Sequence, residues 1–360
     1  MPRLDRARFQ VTVCSLGKET AMAQEMRDAG IEVVIADIGK WNPLAYRKIA
    51  ALIEERRIEL VHAHLGKSIV LGYFAARRAG ARFVAHEHVG PMWPHFGGGP
   101  ARRVENWIMS RATLFCMVRA DSVIAVAKPT RNWIVARRPQ LADKTTVITN
   151  GIKLDELKKV TDERSRHRAR VRAEFGLPPD CPLVLYAASF RFVKRWDLFI
   201  QTAARMHARR PDVYFLGAGT GPLKAEMDRL VSELDMDDHV RLCGLRDDVP
   251  RLMAASELFL MPTAMECDPL TAKEALACGL PIVGSDIPPL RENIVDGQTG
   301  HLVRFGDAED LAERGLELLN DDDQRREMRK AAVRKAWRQF SIDRCARRIE
   351  VVYSQVGGMA

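Results

Sequence analysis

The sequence predicts an α/β protein with two domains, each built on a parallel sheet covered by helices. Three observations predict this class. The chain has 360 residues, which is too long for one ordinary core and fits two domains of about 150–180 residues. Short apolar segments typical of strands alternate with amphipathic segments typical of helices. The alternation breaks near the middle of the chain and starts again at Pro182.

Six strand segments alternate with helical segments in the first domain, which we place at residues 1–150 because Asn150-Gly151 is a turn signal. The predicted strands are 9–16, 30–36, 59–64, 82–88, 122–126 and 145–149, and the predicted helices are 22–29, 43–57, 68–78, 104–120 and 130–137. Parallel sheets bind their ligands at the carboxyl ends of their strands. We therefore expect His64 and His86-Glu87-His88 to lie near a ligand.

The second domain is predicted to cover residues 151–340 and to be followed by a helical segment, residues 341–360. An arginine at every second position from Arg164 to Arg172 indicates a helix whose charges either face water or meet an anionic partner. The predicted strands are 182–189, 213–217, 240–244, 258–262 and 281–284, and predicted helices follow 247–250 and 268–269. Residues 286–300 are predicted to be rich in loops.

The composition is typical of a globular protein in a reducing compartment. Hydrophobic residues make up 47% of the chain and charged residues 29%. No apolar run reaches the roughly 18–20 residues that span a bilayer. The seven cysteines are scattered singly, without the spacing of metal ligands or of a disulfide framework. We therefore expect a cytoplasmic protein without a signal peptide.

The net charge of +9 is concentrated in an aromatic and basic segment, residues 102–138. Its arginines are interleaved with Trp107, Phe115 and Trp133. Such a segment is either a solvated face or a surface for an anionic membrane or an acidic substrate. No recognised nucleic-acid module accompanies the charge, so we expect no nucleic-acid partner.

Two glutamates, Glu266 and Glu274, frame the segment that predicts a ligand site most specifically. Glu266 lies on a loop after a strand, whereas Glu274 lies within a predicted helix over 270–277. Asp268-Pro269 predicts a capping residue followed by proline at the first helical position, and Gly279 predicts a left-handed helix end. Two acids along such a junction either hold two hydroxyl-bearing parts of one ligand or simply face solvent.

Two loops add candidate binding segments. Gly217-Ala-Gly219-Thr-Gly221 follows the strand predicted at 213–217. These glycines either let the backbone approach a phosphate at the next helix terminus or form a tight connection between strand and helix. The loop at 93–99 contains glycine and aromatic residues and is longer than a connector needs, so we predict an acceptor-site lid.

These motifs occur in one order, and together they make nearly the whole chain similar to the retaining glycosyltransferases of family 4. The matching motifs are Glu266 with Glu274, Arg191-Phe-Val-Lys194, the glycine-rich loop at 217–222, the strand end at 244–250 and the linker Thr149-Asn-Gly-Ile152. The resemblance implies the GT-B fold, in which two Rossmann-like domains face each other across a cleft. We expect residues 341–360 to return to the first domain.

The resemblance also implies a reaction and a role for each matching residue. A sugar passes from a nucleotide-diphosphate donor, expected to carry UDP or GDP, to an acceptor hydroxyl with retention of configuration and without a cofactor or metal ion. The implied catalytic residues are Glu266, His88, Arg191 and Lys194, with the two cations neutralising the leaving diphosphate. The implied donor-binding residues are Gly217, Gly219, Pro269, Leu270, Thr271 and Glu274, with Glu274 accepting hydrogen bonds from the ribose. For His62 and His64 we favour structural roles, and His86 stays open.

The expected acceptor is a sugar or a lipid-linked molecule, as in polysaccharide or glycolipid biosynthesis. The aromatic and basic segment favours a lipid-linked acceptor and peripheral contact with the inner face of an anionic membrane. Two other functions stay open. One is a sugar-nucleotide epimerase of the GT-B type, and the other is a non-catalytic basic binding protein.

The sequence departs from the family in two places. Only residues 1–8 precede the first predicted strand, where the family has another strand, a glycine-rich loop and a helix. That strand is central in a doubly wound sheet, so its absence leaves a gap bordered by unpaired backbone groups. We therefore expect a truncated first domain, with a true start upstream of Met1, or a sheet that closes differently. The second departure is Asp268-Pro269, which puts a negative charge near the expected phosphates and removes one N–H.

Overall fold

A computed structural model describes residues 3–39, 42, 44–90 and 99–358. The chain divides into two compact units: unit 1 is Met1–Gly151 with Ile342–Ala360, and unit 2 is Ile152–Ser341. Every described strand pairing is parallel, and helices alternate with the strands. The predicted α/β class with two Rossmann-like domains is confirmed. The lid predicted at 93–99 lies, apart from Gly99, outside the described residues.

The elements follow one another in regular alternation. The strands are β1 (Thr12–Ser15), β2 (Glu32–Ile35), β3 (Leu60–His64), β4 (Arg82–Glu87), β5 (Ser122–Ala125), β6 (Thr145–Val147), β7 (Leu183–Ala187), β8 (Tyr214–Ala218), β9 (Val240–Gly244), β10 (Leu258–Met261), β11 (Ile282–Ser285) and β12 (Gly300–Val303). The helices are α1 (Ala21–Asp28), α2 (Ala45–Glu55), α3 (Gly66–Ala79), α4 (Pro100–Arg119), α5 (Lys128–Arg137), α6 (Leu154–Asp162), α7 (Arg164–Glu174), α8 (Trp196–Arg209), α9 (Lys224–Glu233), α10 (Val249–Ala255), α11 (Leu270–Ala277), α12 (Pro288–Asn293), α13 (Ala308–Asn320), α14 (Asp322–Gln339) and α15 (Ile342–Gly357).

Unit 1 contains two parallel sheets within the described residues. β1 pairs with β2, while β3, β4, β5 and β6 form a four-stranded sheet in chain order. Side chains that precede β1, Leu4 and Phe9, pack in one cluster with Leu60 of β3 and Tyr353 of α15.

Unit 2 contains one six-stranded sheet in the order β12-β11-β10-β7-β8-β9. All strands run parallel, but the order in which the chain adds them reverses at β7. β8 and β9 are added on one side of β7, and β10, β11 and β12 on the other. Both β7 and β10 are buried along their whole length, because helices cover a parallel sheet on both faces. Ligands of such sheets bind outside the carboxyl ends of the strands at this switch point.

The segment 286–300, predicted to be rich in loops, contains helix α12 and reaches the start of β12. The other residues of the segment, 286–287 and 294–299, lie outside the named helices and strands, as expected for a segment rich in loops. Proline is well tolerated in the first turn of a helix, where its missing N–H has no acceptor in any case. Both prolines occupy the start of α12.

Helix α7, predicted from its alternating arginines, is confirmed as a helix but does not present all its charges to water or to an anionic partner. Arg172 is only 1% exposed. Its guanidinium donates to the carbonyl oxygens of Cys181 and Ala255 at 2.6 and 3.0 Å and pairs with Glu257 at 3.3 Å. This arginine therefore holds α7 against the sheet, as buried charges require partners.

Candidate active site

An ion pair between Lys194 and Glu266 lies at the switch point of unit 2. Lys194 ends a short 3-10 helix, Phe192–Lys194, in the connection after β7, and Glu266 lies in the connection after β10. Because β7 and β10 are neighbours, residues 72 positions apart meet, with Nζ of Lys194 2.5 Å from Oε1 of Glu266. The side chains are 19% and 7% exposed. The structure thus brings together two of the residues predicted for catalysis.

Three further residues hold the Lys194 loop in place. The hydroxyl of Tyr186 donates to the carbonyl oxygen of Lys194 at 2.8 Å. The hydroxyl of Thr263 and the N–H of Ala264 donate to the carbonyl oxygen of Val193 at 2.9 and 2.8 Å. Burial, and secondarily the charge of Glu266, raises the pKa of Tyr186 far above its usual value, so this hydroxyl stays a donor. Our sequence reasoning missed Tyr186 and Thr263, because only strand pairing reveals these contacts.

Glu274 lies inside α11, the helix that follows the Glu266 loop. Its side chain is half-buried, and burial raises the pKa of its carboxyl group above the usual value. Within the described ranges, its carboxylate takes part in no hydrogen bond or ion pair. A sheltered carboxylate without a partner is costly in a folded protein, so it is a candidate acceptor for a ligand's hydroxyl groups.

The predicted helix cap at Asp268-Pro269 is wrong. The capping position is Pro269, and no side chain caps α11, which begins at Leu270. Asp268 instead forms an ion pair with Lys273, with Nζ 2.5 Å from Oδ1 and side-chain exposures of 4% and 1%. Because the paired lysine neutralises it, the negative charge that appeared incompatible with a nearby phosphate is compensated inside the fold.

The start of α11 and the loop before Lys194 present further groups at the carboxyl edge of the sheet. The amides of Leu270 and Thr271 are in the first turn of the helix, where amides lack acceptors within the helix. Leu270 is 45% exposed, whereas Pro269 is buried. Arg191 is exposed, and its guanidinium makes no ion pair within the part of the chain that the structure describes.

Gly217 and Gly219 have steric reasons to be glycine. A Cβ on Gly217 would lie 2.7 Å from the Trp196 ring and 2.5 Å from Leu242. Gly219 has φ +154°, and a Cβ there would lie 1.8 Å from the carbonyl oxygen of Ala188. The N–H of Gly219 donates to the carbonyl oxygen of Gly244 at 2.7 Å. These contacts describe a tight connection from β8, which was one of the two readings of this glycine cluster.

His88 belongs to a cluster of histidines at the carboxyl ends of β3 and β4 in unit 1. Nε2 of His88 lies 3.0 Å from Nδ1 of His64. His62 lies 3.2 Å from His86 through Nε2 and Nδ1, and its own Nδ1 lies 2.6 Å from the Tyr353 hydroxyl. Burial is the first cause that lowers the pKa of His88 and of His64 to about 4. Both imidazoles are therefore neutral near pH 7, and each can donate and accept a hydrogen bond.

Comparison with protein families identifies the chain. The model described as Glycosyltransferase Family 4 matches residues 1–156, and the model described as Glycosyl transferases group 1 matches residues 167–335. The chain belongs to glycosyltransferase family 4. The second match includes Lys194, Glu266 and Glu274, and the family predicted from the sequence motifs is confirmed.

Several relatives of this family-4 glycosyltransferase are named as sugar-transferring enzymes. N-acetyl-alpha-D-glucosaminyl L-malate synthase from Bacillus anthracis is 30% identical over 198 residues, which are 54% of this chain and 52% of that protein. Alpha-D-kanosaminyltransferase from Streptomyces kanamyceticus is 24% identical over 302 residues, 82% of this chain and 77% of that protein. The chain thus matches about half the length of the Bacillus anthracis relative.

Solved structures show the same fold. The Anabaena protein HepE, in a crystal structure with UDP, superposes with a TM-score of 0.81 at 20% identity, covering 96% of this chain and 92% of that one. HepE has also been crystallised with UDP-glucose. At this level of identity the likeness shows the GT-B fold of the family-4 glycosyltransferase.

Proposed function

We propose that this glycosyltransferase moves a sugar from a UDP- or GDP-linked donor to an acceptor hydroxyl, with retention of anomeric configuration. In this proposal unit 2 (Ile152–Ser341) binds the donor and unit 1 (Met1–Gly151 with Ile342–Ala360) binds the acceptor. The observation that carries it is the half-buried carboxylate of Glu274, which takes part in no hydrogen bond or ion pair among the described residues, together with the Lys194–Glu266 pair at the switch point of the unit 2 sheet. The HepE complexes with UDP and UDP-glucose support a nucleotide-sugar donor.

The roles follow from charge and burial. Glu274 accepts hydrogen bonds from the ribose hydroxyls, which supply the partners that its carboxylate lacks among the described residues. Lys194 and the exposed Arg191 stabilise the negative charge that grows on the diphosphate as the glycosidic bond breaks. Glu266 fixes the position of the Lys194 ammonium through their 2.5 Å contact and contacts the donor sugar near the reacting carbon.

Backbone groups complete the proposed donor site. The amides of Leu270 and Thr271, at the start of α11, are placed to donate to a phosphate, because a helix N-terminus favours negative charge. Pro269 contributes shape but no N–H. Gly217 and Gly219 shape the edge of the site by allowing close packing against Trp196 and Ala188.

Cationic side chains also explain why we expect the reaction to need no metal ion. Lys194 and Arg191 supply the positive charge that a divalent ion provides in other phosphate chemistry. The prediction is that purified protein treated with a strong chelator retains its transfer rate. A rate that falls with chelation and returns with added Mg²⁺ or Mn²⁺ would show that a metal ion carries part of the charge.

His88 is the proposed acceptor-facing residue of unit 1. Its ring is sheltered and neutral, and its Nε2 lies 3.0 Å from Nδ1 of His64. A neutral imidazole can hold a sugar or acceptor hydroxyl by either donating or accepting. His64 then acts as a positioning residue that fixes the orientation of the His88 ring.

Exposed apolar and aromatic side chains on helix α4 favour membrane contact. Its side chains Val104, Trp107, Ile108 and Phe115 are 57%, 60%, 55% and 45% exposed and lie at helical spacing along one face. Arg111 and Arg119 lie over the Trp107 and Phe115 rings, at 5.0 and 3.7 Å from the centroids. No described helix is long and apolar enough to cross a bilayer. We therefore propose that α4 contacts the interfacial region of an anionic membrane, bringing the enzyme to a lipid-linked acceptor.

Vesicle binding tests the membrane contact. We expect sedimentation with vesicles containing anionic lipid, a loss of binding when Trp107 is replaced by alanine, and weaker binding at high salt. Trp337→Ala is the matched control, because Trp337 is a 42% exposed tryptophan in unit 2. Equal binding to neutral and anionic vesicles, or no effect of Trp107→Ala, would contradict the proposal.

A thermal-shift panel of UDP-, GDP- and ADP-sugars tests the donor, and acceptor-dependent release of the nucleotide tests the reaction. We expect one nucleotide class to raise Tm, and nucleotide release to require an acceptor hydroxyl. An epimerase would interconvert or hydrolyse the donor without an acceptor. A non-catalytic binding protein would be stabilised without turnover. The anomeric configuration of the product, measured by NMR, decides between retention and inversion.

A further inference from the structure

The histidine cluster of unit 1 contains more nitrogen ligands than the proposed role of His88 uses. His62 and His64 lie on β3 and His86 on β4, and the parallel register places His64 opposite His86. One ring nitrogen from each of these three residues lies within 4.8 Å of those of the other two. Our sequence reasoning gave His62 and His64 structural roles and left His86 open, because the register of the two strands cannot be read from the sequence.

The three rings offer donor atoms of the kind that transition metals prefer. A neutral imidazole carries a lone pair on one of its two ring nitrogens. Imidazole must be neutral to bind a metal ion.

One contact of the cluster resembles the support that metal-binding histidines receive. The Tyr353 hydroxyl lies 2.6 Å from Nδ1 of His62, and this contact directs Nε2 of His62 towards Nδ1 of His86, 3.2 Å away. Metal-binding histidines commonly use their second ring nitrogen in such a bond. His86 is only 3% exposed, and its Nε2 is buried without a hydrogen-bond partner among the described residues.

We propose that His62, His64 and His86 form a binding site for one transition-metal dication, with Zn²⁺ as the best match. Imidazole nitrogens suit Zn²⁺, Ni²⁺ and Cu²⁺, whereas Mg²⁺ and Ca²⁺ prefer oxygen ligands. Three histidines with an open fourth position are a known zinc arrangement. The test of this site is independent of the donor chemistry proposed above, because metal binding is measured without a nucleotide sugar.

The geometry is close to what Zn²⁺ needs. Bonds of about 2.0–2.1 Å in a tetrahedron place ligand nitrogens about 3.4 Å apart. The nitrogens of His62 and His86 are already 3.2 Å apart, and the third nitrogen lies within 4.8 Å. Movement of the His64 side chain by at most about 1.4 Å therefore completes the set, and side chains make such movements by small torsional changes.

Metal titration of the purified full chain, carrying no histidine tag, tests the site. Co²⁺ is the probe for geometry, since tetrahedral Co²⁺ absorbs visible light strongly, and Zn²⁺ affinity is measured by competition with a chromophoric chelator. We expect one tight equivalent of metal per chain, and Mg²⁺ in excess should not displace it. A wild-type chain that takes up no tight equivalent would overturn the proposal.

Variants show whether the metal lies in this cluster. We expect His64→Gln and His86→Asn each to weaken Zn²⁺ binding at least tenfold, and Tyr353→Phe to weaken it by about tenfold through loss of its contact with His62. The matched control is His207→Gln, which removes a histidine whose ring packs on His239 in unit 2. His64 is only partly buried, so its variant keeps the test valid if the His86 variant fails to fold. Wild-type affinity in a folded His64→Gln variant would place the metal elsewhere.

Discussion

Replacing Lys194 with alanine separates the structural role of the Lys194–Glu266 pair from its role in the reaction. The ammonium lies 2.5 Å from the carboxylate, and the two side chains are 19% and 7% exposed. Removing one partner of a buried ion pair costs about 3–5 kcal/mol. Since Lys194 keeps some contact with water, we expect the lower end of this range, about 3 kcal/mol. For a unit of this size that lowers Tm by about 6–12 °C.

The rate of sugar transfer responds to a different property of the pair. Loss of one electrostatic stabiliser of the transition state lowers kcat by about 10²–10³-fold. The double variant Lys194→Met with Glu266→Gln leaves no unpaired buried charge, so we expect it to recover most of the lost Tm while transfer stays low. Both quantities are measured on one preparation, by thermal unfolding and by nucleotide release.

The control for this experiment is Lys158→Ala. Lys158 pairs with Asp162 along helix α6, and its side chain is 57% exposed. Such a surface pair contributes about 0–1 kcal/mol, so we expect little change in Tm or turnover. Near-normal turnover in the double variant would contradict a catalytic role for the pair, because the pair would then serve stability alone.

Three further substitutions test neighbouring parts of the account. Burial raises the pKa of the Glu274 carboxyl group in the folded state. The protein is therefore most stable when this group is protonated. The free energy of unfolding falls as pH rises from the usual carboxyl pKa towards the raised pKa of the folded state. Glu274→Gln should therefore raise the midpoint of urea unfolding at neutral pH but not in acid, and an unchanged midpoint at both would contradict the burial of this charge. Gly219→Ala should lower Tm and donor affinity, since its Cβ would lie 1.8 Å from the Ala188 oxygen; wild-type values would show that the loop shifts freely. Lys273→Met should cost about 3 kcal/mol in chemical unfolding by removing the ammonium that pairs with the 4% exposed side chain of Asp268, and Lys273→Met with Asp268→Asn should recover most of it.

Local sequence rules predicted the elements that depend on local chemistry. The run of helix formers over 270–277 is the helix that the structure contains. Gly279 has φ +72°, as the predicted left-handed helix end requires. The β/α alternation likewise predicted the parallel sheets, because strand length and apolar content are local properties.

Contacts between distant residues could not be predicted in the same way. Asp268 is a good capping residue by type, yet its carboxylate forms a buried ion pair with Lys273. The contact of the Tyr186 hydroxyl with the Lys194 carbonyl depends on how the loop after β7 folds back. Motif resemblance identified Lys194 and Glu266 one by one, whereas their ion pair follows from the pairing of β7 with β10.

Calorimetric titration with the nucleotide that stabilises the wild-type chain tests whether the ionised Glu274 carboxylate accepts hydrogen bonds from the donor's ribose. We predict that wild-type affinity weakens as pH falls through the raised pKa of Glu274, and that Glu274→Gln binds the nucleotide at least tenfold more weakly at neutral pH while remaining folded. Wild-type affinity in a folded Glu274→Gln variant would contradict the account.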